Sequence, residues 1–145
     1  MKSGRRRARE LALQGLYQWQ VAKHPVADIV AQLSEGKGFD KVDAAYFKVL
    51  LEGAIANAPG IETAIAPHLD RKFAALSPIE RGVLMIGAYE LAYQAETPYK
   101  VVINESVEVA KTYGGTDGHK YVNGVLDKLA QQLRAGEVQE KAGSR

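Results

Sequence analysis

Residues 5–20, RRRARELALQGLYQWQ, run four arginines straight into an amphipathic helix. Ala8, Leu11, Ala12, Gly15, Leu16 and Trp19 recur at i, i+3, i+4, i+7, i+8 and i+11, one apolar stripe on a 3.6-residue period. Arg6, Leu13 and Tyr17 fall roughly opposite the stripe, and Arg5 and Arg9 flank it. A helix anchored this way would hold the guanidinium groups of Arg5, Arg6, Arg7 and Arg9, and the Tyr17 ring, where solvent or a polyanion reaches them. The bland alternative is a solvated, frayed N-terminus that aids solubility.

A second basic and aromatic group covers residues 111–113 and then Asp117, His119, Lys120, Tyr121 and Asn123, at the start of an expected helix. Free backbone N–H groups at a helix start suit phosphate, tyrosine rings suit base stacking, and asparagine suits base edges. Tyr121 and Asn123 fit packing and capping roles equally well. Nothing in the chain matches a catalytic pattern. His24, His68 and His119 are scattered, with no H-E-x-x-H spacing, and Gly114 and Gly115 lack the Gly-Lys-Ser/Thr of a phosphate loop. G-x-S-x-G and G-x-G-x-x-G are absent. Without cysteine there is neither a disulfide framework nor a thiolate zinc site. The expectation is a non-enzyme that uses no metal and no cofactor.

The formal charge of +2 hides an asymmetry. Of 19 Lys and Arg, five precede the first acid, Glu10, which leaves 14 against 17 Asp and Glu in the remainder. The positive charge is a local patch, which argues for a polyanion met at one place. Glu10, Gln14, Gln18 and Gln20 interrupt any apolar run behind the basic start, so it does not read as a signal peptide. No apolar run is long enough to span a bilayer, and a cysteine-free chain fits a reducing cytoplasm.

The remaining elements read as helices, since no segment sustains period-2 alternation. Pro25 ends the first, and Val26, Ile29, Val30 and Leu33 make a short second one ending at residues 36–38. Asp40 is the expected N-cap of a third, buried on two sides, which ends at residues 58–60. A short helix follows before Pro67. Ser77, Pro78 and Glu80 form a start signal with serine as cap, proline at N1 and glutamate reaching back to the cap N–H. The helix they open, over residues 78 to about 95, is apolar nearly all round. It carries Gly82 and Gly87 in its interior at about 1 kcal/mol each relative to alanine, which close approach of neighbouring helices would justify. A further helix runs from Pro98 to Gly114, and Asp117 caps a last one with Val122, Val125, Leu126, Leu129 and Leu133 as its stripe. The expectation is an all-α chain of about seven helices in two packed helical-bundle halves. One domain over residues 1–134 divides at about 5–58 and 61–134, and residues 135–145 form a flexible tail.

Four segments together resemble the NusB family of bacterial transcription antitermination factors: RRRARELALQGLYQWQ, FDKVDAAYFKVLLEG, SPIERGVLMIGAYELAY and PYKVVINESVEVAKTYGGTDGHKYVNGVLDKLA. The last is the most specific. The resemblance implies an all-helical fold, and a factor that pairs with NusE, a protein of the small ribosomal subunit. The pair would bind single-stranded boxA RNA in nascent ribosomal-RNA transcripts and act with other Nus factors on RNA polymerase. By motif, Arg5, Arg6, Arg7 and Arg9 match the family's arginine-rich RNA-binding segment, and Asp117, Lys120, Tyr121 and Asn123 its second RNA-facing region. Glu80, Arg81 and Leu84 match the region that faces NusE. Tyr121 stands where relatives often carry phenylalanine. Self-association as a homodimer stays open. Two other readings remain: a helical protein–protein adaptor without direct RNA binding, and an RNA-recognition domain of an rRNA methyltransferase.

Overall fold

The computed structural model describes residues 2–143 and contains eight α-helices and no strand among them. They are α1 (Gly4–Tyr17), α2 (Val26–Ser34), α3 (Ala44–Ala56), α4 (Ala58–Ile65), α5 (Pro78–Tyr93), α6 (Tyr99–Tyr113), α7 (Gly118–Leu133) and α8 (Ala135–Gly143). α1 leaves its last turn through a π-helical stretch, Gln18–Ala22, which ends at Lys23 with φ of 60°.

Local chemistry explains most boundaries. Ser77 accepts from the Glu80 N–H while the Glu80 carboxylate takes the Ser77 N–H, so the capping box read from the sequence is formed. The cap of α3 is Asp43 rather than Asp40. Asp43 Oδ1 accepts from the Tyr46 N–H at 3.1 Å, and Asp40 lies in the 3₁₀ turn Phe39–Lys41 just before it. Pro59 sits in the first turn of α4, so it opens a new helix besides ending the old one. Asp117 holds the N-cap position of α7 without a side-chain cap bond, because Oδ1 faces Lys120 Nζ at 3.5 Å.

α5 is the axis around which the others pack. It touches α1, α3 and α4 on one side and α6 and α7 on the other. Its two interior glycines mark these approaches. A Cβ on Gly82 would lie 2.6 Å from Leu13 Cδ1 of α1, and one on Gly87 would lie 2.7 Å from Leu126 Cδ1 of α7. Leu13 is therefore core, at 2% exposure, although its position on the α1 wheel predicts a solvent face. α1 is gripped between α3 and α5, which buries a wider arc than one stripe.

Where a flexible tail was expected, the chain forms α8. Arg134, nearly buried, donates to the carbonyl oxygens of Glu90, Leu91, Gln94 and Thr97 and pairs with Glu137 at 2.7 Å. Glu137 in turn accepts from the Tyr99 N–H at 2.9 Å. One guanidinium thus bridges carbonyls at and just beyond the end of α5, and its partner Glu137 ties α8 to the start of α6. Residues 144–145 lie outside the described residues.

Candidate nucleic-acid interface

The four clustered arginines occupy four different environments. Arg9 points inward, with a side chain 4% exposed, and donates from Nε and Nη2 to the Glu90 carboxylate at 2.9 and 2.8 Å. The Tyr46 hydroxyl also donates to Glu90. Burial and the neighbouring Glu90 charge push the Tyr46 phenol well above its usual range. The expectation that Arg9 meets solvent is therefore corrected: a carboxylate on α5 makes the cation buriable. Arg6 lies at the edge of this network, its Nε and Nη2 each 2.7 Å from a Glu105 oxygen. The Arg6 hydrogen bonds hold the Glu105 carboxyl below the usual carboxylate range against the opposing effect of burial. Arg5 stacks on the Tyr46 ring, 4.0 Å from its centroid, with Asp43 at 3.8 Å.

Arg7 alone of the four has no side-chain hydrogen bond or ion pair among the described residues. It opens into a groove of about 460 Å³ between α1 and residues 36–39, together with Gln14, Gln32, Lys37, Phe39 and Tyr113. Lys37 is exposed, and Tyr113 is 47% exposed at the end of α6. A second depression, about 380 Å³, continues past Tyr113 to Leu13, Tyr17 and Ile79. The first groove thus holds two cations, two aromatic rings and two amides, with Glu10 beside them paired to Lys2 at 2.8 Å. The cations, rings and amides are the donor and stacking set that single-stranded nucleic acid uses. Lys37, Gln32 and Phe39 escaped the sequence reading. Residues 36–38 read only as a turn, and nothing in them announces that the turn faces Arg7.

The second expected group lies at the start of α7. The Tyr121 hydroxyl donates to Asp70 Oδ1 at 2.9 Å and accepts from the Asp70 N–H at 3.2 Å, while the Arg71 guanidinium lies 5.1 Å from the ring centroid. Arg71 and then Tyr121 draw the Asp70 carboxyl down to about 2. Tyr121 and His119 are half-buried, and Asp117, Lys120 and Asn123 are exposed. The link to the first group runs through α5. Ile79 lines the second depression, and a Cβ on Gly118 would lie 3.5 Å from Glu80 Oε2.

Of the three residues matched to a partner surface, Glu80 and Arg81 are half-buried. Arg81 is anchored by Gln20 Oε1 at 2.7 Å and the carbonyls of Ala74 and Leu76. Leu84 is fully buried in the core, so it stands behind that surface and not on it. No group of three His, Cys, Asp or Glu among the described residues could hold a metal ion. No helix among them is long and apolar enough to cross a membrane.

Comparison with known proteins agrees with this architecture. The family model of the NusB family matches residues 6–131. The transcription antitermination protein NusB of Nitrosomonas europaea is 56% identical over 138 residues, covering 95% of this chain and 83% of that protein. That of Ralstonia pickettii is 57% identical over 137 residues, covering 94% and 88%. T. maritima NusB superimposes with a TM-score of 0.80 at 29% identity, covering 90% and 93%. A chain from a crystal structure of antitermination factors NusB and NusE in complex with dsRNA gives 0.80 at 27% identity, covering 91% and 99%. With its core, its α5 axis and its first helix from Arg6 onward inside the matched span, the chain belongs to the NusB family.

Proposed function

We propose that this chain is a non-enzymatic, RNA-binding transcription antitermination factor. In this reading it works in the cytoplasm, pairs with NusE, and binds the single-stranded boxA element of nascent rRNA transcripts, so that RNA polymerase, with other Nus factors, stays processive. The observation that carries the reading is the groove in which Arg7, without a carboxylate partner among the described residues, faces Lys37 and Tyr113. Cations there take phosphates and fix the strand's register, while Tyr113, Tyr121 and Asn123 meet unpaired bases. The solved complex of NusB and NusE with dsRNA, a fold match at 27% identity, supports the pairing. NusE is assigned the depression bounded by Tyr17 and Ile79, beside Glu80 and Arg81. Because Tyr113 borders both hollows, RNA and NusE would share an edge, and NusE would extend the RNA-contacting surface.

The test is binding of boxA-like and scrambled single-stranded RNA, with and without NusE. Three to five phosphate contacts give a log K against log salt slope of magnitude about 2–3.5. A slope near zero, or equal affinity for both RNAs with NusE present, overturns the reading in favour of a protein–protein adaptor.

A further inference from the structure

We propose that Glu105 is an intramolecular rival of the RNA backbone, holding Arg6 in the free protein and yielding it to a phosphate when RNA binds. The inference rests on the RNA-binding function proposed above. Arg6 presents Nε and Nη2 to the two Glu105 oxygens at 2.7 Å each, the same planar fork that a phosphate accepts. The pair is reachable: the side chains of Arg6 and Glu105 are 26% and 20% exposed, against 4% and 0% for Arg9 and Glu90. It opens onto a polar hollow that Lys2 and Ser3 also line, where the Lys2 ammonium, paired with Glu10 at 2.8 Å, is a second cation beside an incoming phosphate.

Release of Arg6 leaves no orphaned charge. Arg9 Nη1 lies 3.3 Å from Glu105 Oε1 and stays in place because Glu90 grips its Nε and Nη2. Glu105 therefore exchanges two cationic partners for one, a smaller loss than an unpaired half-buried carboxylate would suffer. Arg6 differs in this from Arg9, whose departure would strand Glu90 in the core. Glu105 is thus a positioning residue that sets how much of the arginine cluster is available before RNA arrives.

Glu105→Gln keeps the side chain's shape and one acceptor but removes the competing charge. Its affinity for boxA-like single-stranded RNA should rise about three- to tenfold near 0.1 M salt, where exposed charges still interact over about 10 Å. The gain should vanish when Arg6→Ala is added, and Arg6→Ala alone should lower the salt slope by about 0.7, one phosphate contact on a single strand. An unchanged or weaker Glu105→Gln complex, or a gain that survives Arg6→Ala, overturns the proposal. Should Glu105→Gln melt below the assay temperature, NMR of the unmodified protein decides. On adding RNA the Glu105 carboxyl and Arg6 Nε–H signals must both move, and fixed signals overturn it. Wild-type protein that, with NusE present, does not distinguish boxA-like from scrambled RNA sinks the function itself; wild-type binding with an indifferent Glu105→Gln sinks only the handover.

Discussion

Arg9 and Glu90 meet across the seam between α1 and α5 through hydrogen bonds of 2.9 and 2.8 Å, with the hydroxyl of Tyr46 closing the third side from α3. Three helices are joined by charges that water hardly reaches. Removing one partner leaves the other buried and uncompensated, so Arg9→Ala should lower unfolding free energy by about 3–5 kcal/mol, read as a shift in urea midpoint. Loss of RNA affinity without loss of stability would show that Arg9 serves the surface instead.

Arg7 offers the opposite case. Its side chain has no bonded partner among the described residues, so Arg7→Ala should change stability by no more than about 0.5 kcal/mol. Its effect should appear on RNA: weaker binding across all sequences and a salt slope reduced by about 0.7. Titrations at several salt concentrations separate this from a specificity effect.

Tyr121 is engaged by its hydroxyl as well as by its ring. Tyr121→Phe removes both bonds with Asp70 and should let the Asp70 carboxyl rise from about 2 toward its ordinary value, as followed by NMR titration. The sign follows from the depressed value. The Asp70 contribution is complete above the ordinary carboxylate pKa of about 4 and is lost as pH falls toward 2. Tyr121→Ala should erode the preference for boxA over scrambled RNA, whereas Tyr121→Phe should keep stacking and most of that preference.

Gly82→Ala and Gly87→Ala set helix propensity against packing. Alanine favours the helix by about 1 kcal/mol, but the new methyl meets Leu13 or Leu126 well inside contact distance. Overpacking should win, with net destabilisation of about 1–2 kcal/mol in thermal melts. A stabilised variant would mean that the seams around α5 yield easily.

The all-helical class, the capping box and the two glycine approaches on α5 were legible because periodicity and cap chemistry are local. The division of labour among the arginines was not. Glu90 stands 81 residues from Arg9, and Glu105 stands 99 from Arg6, so no window on α1 contains the acids that claim them. Leu84 matches the partner-facing region of the family motif, but α5 is apolar nearly all round, so its pattern does not reveal that this position faces the core. α8 escaped because Ala135 and Gly136 resemble a break and Val138 is the one large apolar residue after them. Its order comes from Arg134 and Glu137.

The guanidinium of Arg134 gathers four carbonyl oxygens from residues 37 to 44 positions earlier in the chain. During synthesis, then, the bend between α5 and α6 lacks its clasp until Arg134 has left the ribosomal tunnel. α5, around which everything else is arranged, acquires its finished end among the last contacts to form.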